Sequence, residues 1–270
     1  MSLQMTSVLA TAMRELRQHP VALRVRAELD GTTVVDSTAA RLVWEPRRIV
    51  SAYAVPVADI AGSLVNPQVV TPDPRSLPPV LSPRQGFTVH SASGTAYDIE
   101  TPEGTLPGAA FVPDDPEVAD YAVLDWSAFT RWFEEGEEVL GHPREPFHSI
   151  RCLPSDRHVV VQVDGQVVAD THRAVMLLET MLPPRWYIPR EDVRMDLLTP
   201  SDSHTICAYK GRASYWSLGD ATDVVWTYED PRHEAAPVRG LLSFYAEFSD
   251  YVIDGERIPR PVTEWSRSRT

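Results

Sequence analysis

The chain repeats itself, and that limits its fold more than any single motif does. Residues 24–45 read RVRAELDGTTVVDSTAARLVWE and residues 158–179 read HVVVQVDGQVVADTHRAVMLLE. Asp30-Gly31 aligns with Asp164-Gly165, Asp36 with Asp170 and Glu45 with Glu179, each pair 134 positions apart (164 − 30). VPVADI from Val55 then matches IPREDV from Ile188 at a separation of 133. One residue has been gained or lost between. Further on, HSASG ending at Gly94 matches CAYKG ending at Gly211, Asp115-Pro116 matches Asp230-Pro231, and Phe129 is set against Phe244. Self-similarity on this scale predicts two copies of one domain. The copies span 19–135 and 152–262. A lead-in covers 1–18, a connection 136–151 and a tail 263–270. A chain of 270 residues is the right length for two such domains.

Local patterns predict that each copy is mainly β. Val159, Val161 and Val163 alternate with Val160, Gln162 and Asp164, the period of a strand with one buried face. Asp164-Gly165 is a strong signal for a two-residue hairpin, because both central positions of a type I′ turn need positive φ. Gln166–Asp170 is the returning strand and Ala174–Glu179 a third. Ser214–Leu218 and Val224–Tyr228 pair across Gly219-Asp220, and Leu241–Phe248 reads as a strand or a short helix. In the lead-in, Val8, Met13 and Leu16 recur at helical spacing, which predicts a short amphipathic helix packed on the body.

Composition narrows the function classes. With 25 Lys+Arg against 38 Asp+Glu, the net charge of −13 repels phosphate backbones and argues against nucleic-acid binding. No apolar run is long enough to span a bilayer, and Met1–Gln18 lacks the basic and apolar parts of a secretory signal. Cys152 and Cys207 are the two cysteines, too few for a disulfide scaffold or a four-cysteine zinc site. No HExxH, GxxxxGK[ST] or GxGxxG string is present. The expectation is a soluble cytoplasmic protein with neither metal nor cofactor.

The copies have diverged unequally. The first carries a proline-rich insert at 71–86, TPDPRSLPPVLSPRQG, expected as an ordered or extended surface loop. The second holds three clusters rich in polar and aromatic residues: PPRWYIPREDVRMDLL from Pro183, CAYKGRASYW from Cys207 and EDPRHEAAPVRG from Glu229. Lys210 is the only lysine in the chain. A tight turn at Gly211 would bring it together with backbone N–H groups, an arrangement that suits a carboxylate or phosphate. An adjacent ammonium would also lower the pKa of the Cys207 thiol. In the first copy His90 stands at Cys207, Ser93 at Lys210 and Val57 at Arg190, whereas Gly94 and Asp59 are retained. Positions with backbone demands survive and side-chain chemistry does not, as expected of a scaffold copy beside a functional one. The candidate ligand-binding residues are therefore Glu179, Arg185, Tyr187, Asp192, Asp196, Cys207, Tyr209, Lys210, Tyr215 and Trp216.

Those three clusters, in this order and at this spacing, resemble the bacterial domain-of-unknown-function family 427, sometimes labelled nucleotidyltransferase-like. The resemblance covers 158–253 strongly and 24–135 through the internal match. It implies tandem copies of a β-tent-like fold, two small antiparallel sheets leaning together. Zinc-binding relatives of that fold carry paired CxxC knuckles, which this chain lacks. Three functions follow as expectations. The first is a pocket in the second copy for a small, anionic ligand. The second is a non-catalytic module that binds a protein partner through sheet edges or the proline-rich insert. The third is nucleotidyl transfer, for which Asp192 and Asp196 would be the metal-holding carboxylates.

Overall fold

The computed structural model describes residues 2–263 and 266. Its contacts divide the chain into two units, Met1–Glu145 and Pro146–Thr270. The first opens with helix α1 (Met5–Ala12), followed by β1 (Arg17–Pro20), β2 (Val25–Leu29), β3 (Thr32–Ser37), β4 (Arg41–Trp44), β5 (Ala52–Pro56) and β6 (Ser63–Val70). After the insert come β7 (Gly94–Thr101), β8 (Gly104–Pro113), β9 (Tyr121–Leu124), β10 (Arg131–Glu134) and β11 (Glu137–Val139). The second unit holds β12 (Ile150–Pro154), β13 (Val159–Val163), β14 (Gln166–Thr171), β15 (Val175–Glu179), β16 (Arg185–Ile188) and β17 (Leu198–Cys207). It continues with β18 (Gly211–Leu218), β19 (Ala221–Thr227), β20 (Leu242–Phe244), β21 (Asp250–Ile253) and β22 (Glu256–Ile258). Short 3₁₀ turns at Arg190–Asp192, Met195–Leu197 and His233–Val238 connect them.

Each unit is a pair of antiparallel sheets. In the first, a seven-stranded sheet runs β1-β4-β5-β9-β8-β7-β6 and a four-stranded one β11-β10-β2-β3. In the second the orders are β12-β15-β16-β20-β19-β18-β17 and β14-β13-β21-β22. Adding eleven to every strand number of the first unit gives the second (β1 becomes β12, β6 becomes β17). The units thus share one connectivity, as the repeat predicts. Register refines the alignment at one point. Leu124 faces Ala110, and Phe244 faces Val225 in the matching strand pair. The counterpart of Phe244 is therefore Leu124, and Phe129 lies beyond the strand.

The predicted hairpins form. Asp30 and Gly31 have φ of 49° and 88°, and Asp164 and Gly165 have 50° and 79°. Those are the paired left-handed conformations a type I′ turn requires. Val159, Val161 and Val163 point inward with Val168, Ala169, Trp186, Ile188, Val225, Leu242 and Phe244, forming a core between the two sheets of the second unit. The first unit repeats this with Val25, Ala27, Val35, Leu42, Tyr53, Val55, Leu124 and Trp132.

Two expectations change. Helix α1 forms, but none of its residues is buried. It ends at Ala12, so Leu16, which does pack on the first unit, sits on the chain leading into β1 and cannot pull the helix down. The connection 136–151 is not all loop, since β11 and the first residues of β12 fall inside it. Of the tail 263–270, only Thr263 and Ser266 are among the described residues. Among the described residues no helix is long and apolar enough to cross a membrane.

Candidate functional site

The strands of a sheet alternate their side chains between faces, and in the second unit the two faces differ in chemistry. On β16, Trp186 and Ile188 enter the core between the sheets, while Tyr187 lies on the outer face of the seven-stranded sheet with Leu177, Ala213, Tyr215, Trp226 and Tyr228. Ala235 and Val238, from the 3₁₀ turn His233–Val238, are buried over this face, with Ile150 and Cys152 of β12 at its side. Tyr187 accepts a hydrogen bond from Trp226 Nε1 (3.0 Å), and Tyr215 Oη and Thr205 Oγ1 are 2.7 Å apart. Trp226 and Tyr245 pack with ring centroids 4.6 Å apart. Burial pushes the phenols of Tyr187, Tyr228 and Tyr245 well above their ordinary pKa, so each keeps its proton.

At the end of β15, Glu179 meets the turn between β17 and β18. Lys210 Nζ lies 2.5 Å from Glu179 Oε2, and His148 Nε2 lies 3.1 Å from Oε1. Both Lys210 and Glu179 are nearly inaccessible, with side chains 10% and 8% exposed. Burial works against the Glu179 charge, but the hydrogen bond from His148 and the charge and hydrogen bond of Lys210 outweigh it, and the pKa falls to about 2. The His148 ring is fixed by stacking on Tyr209, centroids 4.3 Å apart. The turn closes through Gly211 at φ 99° and a bond from Arg232 N to Lys210 O (3.0 Å). Only glycine takes that backbone angle cheaply.

The structure therefore gathers Glu179, Tyr187, Cys207, Tyr209, Lys210 and Tyr215. Cys207 ends β17 opposite Gly211, in the electrostatic field of Tyr187 and Tyr228. Lys210 acts on the thiol of Cys152, where burial raises the pKa and the ammonium opposes the rise. Arg185 is on this side too, but its guanidinium is bound to buried Glu247 by two bonds of 2.8 and 2.6 Å. It meets a carboxylate of its own chain, not one left for a ligand.

Three predicted residues fall elsewhere. Trp216 is one position from Tyr215 and so points to the opposite face, into the core, with Arg190 5.0 Å above its ring. Asp192 accepts from Thr171 Oγ1 (2.6 Å) and is paired with Arg173. Its first-copy counterpart Asp59 accepts from Ser37 in the same way (2.6 Å), so both copies keep this aspartate to tie the 3₁₀ turn to the neighbouring strand. Asp196 is exposed and bound to Arg194 two residues away. Neither carboxylate joins Lys210. Among the described residues no group of three or more His, Cys, Asp or Glu side chains is arranged to hold a metal. Sequence reasoning missed His148, Cys152, Trp226, Tyr228, Tyr245 and Glu247. Only strand alternation across β19 could have pointed to Trp226 and Tyr228 as a same-face pair.

The first unit treats the same face differently. Register makes Ala54 the counterpart of Tyr187 and Phe111 that of Trp226, because Ala54 and Phe111 face Val123 as Tyr187 and Trp226 face Ser243. Here the chain that carries the insert covers the face. Arg47 donates to the carbonyls of Leu77 and Pro78, and Arg48 to those of Gln85, Gly86, Phe87 and Val89. Glu45, the counterpart of Glu179, accepts from His90 Nδ1 (3.0 Å) and from the backbone of Ser91 and Ala92. His90 stacks on Phe111 at 3.9 Å. Both units thus pair the buried glutamate with an imidazole, drawn from unrelated chain positions. The second adds Lys210, and the first has Arg48 at 3.7 Å from Glu45. Met181 has φ 64°, matching Arg47 at 68°, but Met181 and Leu182 have no groups with which to clamp a covering strand.

No curated protein matches the chain. Residues 151–255, within the second unit that carries the Lys210–Glu179 pair, match the family model described as Domain of unknown function (DUF427).

Proposed function

We propose that the second unit binds a small molecule bearing an acidic group, on the outer face of its seven-stranded sheet at Lys210. One observation carries this reading. The Lys210 ammonium has three protons and a single acceptor, Glu179, among the described residues, although the residue is only 8% exposed. A buried ion pair is a poor way to stabilise a fold, and where Lys210 reaches Glu179 the first unit has Arg48 3.7 Å from Glu45, its guanidinium already donating to the carbonyls of Gln85, Gly86, Phe87 and Val89. Aromatic walls with a few convergent polar groups are what small-molecule sites are built from. Free Cys152 and Cys207 support a reducing, cytoplasmic setting, and the net charge of −13 argues against nucleic acid as the partner.

The test is a thermal-shift and calorimetric screen of small carboxylates and phosphates. Hits should disappear in Lys210→Met and persist in Ser93→Ala of the first unit. Hits indifferent to Lys210, or no hit at all, would overturn the reading. The protein-interaction alternative is less well supported. Of the two surfaces it could use, sheet edges and the insert, the insert has the carbonyls of Leu77, Pro78, Gln85 and Gly86 held by Arg47 and Arg48, and Leu81 within it is buried. Nucleotidyl transfer is less well supported too, because Asp192 and Asp196 are paired with Arg173 and Arg194.

A further inference from the structure

The outer face of the second unit has unused donors, and its cations Lys210 and Arg185 are each matched by a carboxylate, Glu179 and Glu247. The flanking Arg190 and Arg239 are likewise paired, with Glu229 and Asp230. A ligand with several negative charges would meet these matched pairs within a chain of −13, and repulsion grows with each added charge. Hydrogen-bond donors, by contrast, are available. Tyr187 Oη already accepts from Trp226, so its own proton is free to be donated. The Tyr228 hydroxyl has no hydrogen-bond partner among the described residues although the side chain is 5% exposed, and its oxygen is not fully enclosed, so its proton is open to a ligand. The Tyr228 phenol lies in the field of Tyr187, Cys207, Tyr215 and Glu179, which ties it to the Lys210 cluster.

Taking the acidic-ligand reading above as its basis, we propose that the ligand is a singly charged carboxylate on a flat, ring-bearing body, received by the Tyr228 and Tyr187 hydroxyls together with Lys210, and that polyphosphates are refused. A carboxylate presents two coplanar acceptor oxygens that an ammonium and a phenol can share. The rings of Trp226, Tyr245 and Tyr215 offer the flat body apolar and edge contacts. A di- or triphosphate would call for paired arginine forks or a nest of backbone N–H groups, and Arg185 is already occupied by Glu247.

The experiment titrates the whole protein with benzoate, indole-3-acetate, AMP and magnesium-ATP, followed by calorimetry and ligand-observed NMR. The two ring carboxylates should bind and the two nucleotides should not. Tyr228→Phe should weaken carboxylate binding by about three- to tenfold, the effect of one lost hydrogen bond, while leaving the unfolding midpoint unchanged, because that hydroxyl has no partner to lose. Lys210→Met should weaken it further. Should that variant not fold, Lys210→Met with Glu179→Gln removes the buried carboxylate and serves in its place. Lys210-dependent binding of AMP or ATP would refute the carboxylate assignment and leave the acidic-ligand reading intact. Carboxylate binding that ignores Tyr228→Phe would refute the role of the phenol. Absence of carboxylate binding at millimolar concentration overturns the inference, and the wider screen then decides the reading beneath it.

Discussion

Lys210→Met is the perturbation whose size can be worked out from the structure. In the native protein Glu179 titrates at about 2 against an ordinary 4.5. The gap, 4.5 − 2, is worth roughly 3 kcal/mol at about 1.4 kcal/mol per unit. The depressed group is an acid, so this stability is fully present above pH 4.5 and is lost as the pH falls toward 2. Lys210 supplies both a charge and a hydrogen bond to the effect, and His148 supplies the rest. Removing the lysine leaves a buried carboxylate with a single partner, and breaking such a pair costs about 3–5 kcal/mol. Urea unfolding followed by tryptophan fluorescence should therefore show Lys210→Met destabilised by that amount at pH 7. The deficit should shrink as the pH is lowered through about 4, where the variant's glutamate takes up a proton and the wild type's does not. Lys210→Met with Glu179→Gln should be more stable at pH 7 than Lys210→Met alone, because the buried charge left with His148 as its one partner is gone. A cost under about 1 kcal/mol at pH 7, smaller than a buried pair can give, would refute the reasoning. So would a Glu179 midpoint at or above 4.5 in an NMR titration of the wild type.

Other outcomes follow from the same geometry. Gly94→Ala places a methyl group 2.3 Å from Val112 O and 2.6 Å from the Phe111 ring; denaturation curves should show the first unit destabilised by at least about 3 kcal/mol, as overpacking against backbone demands, with carboxylate binding by the second unit retained. Arg48→Ala removes the donor that holds Gln85, Gly86, Phe87 and Val89, so limited proteolysis should cut within 71–92 at least tenfold faster, a factor that needs only about 1.4 kcal/mol of local opening; an unchanged cleavage rate would mean that the clamp is dispensable. Prolonged EDTA treatment should leave the unfolding midpoint unchanged, since no three His, Cys, Asp or Glu side chains among the described residues are grouped for a metal; loss of fold on chelation would contradict this.

Much of the architecture was legible in one dimension, because its causes are local. Asp30-Gly31 and Asp164-Gly165 turn the chain by their own backbone preferences, and alternation along Val159–Val163 assigns the faces of its strand without reference to anything distant. The repeat itself carried the pairing order from one copy to the other. Lys210 was conspicuous by composition, and Glu179 by its persistence as Glu45.

Other features depended on tertiary structure. Tyr215 and Trp216 are neighbours in sequence and part to opposite faces because a strand alternates. Asp192 reads in sequence as a candidate metal carboxylate, and only the structure shows its bond to Thr171, repeated by Asp59 and Ser37, between a turn and a strand. Arg185 and Glu247 are 62 positions apart, as are Cys152 and Glu234 82 apart, and no local pattern announces such pairs. His148 and His90 reach equivalent glutamates from positions that do not align. Sequence fixes what each residue prefers over a few neighbours, where turn and strand geometry act. Which distant groups come to share one buried face, as Lys210 and Glu179 do, is decided only when the sheets close and water is excluded.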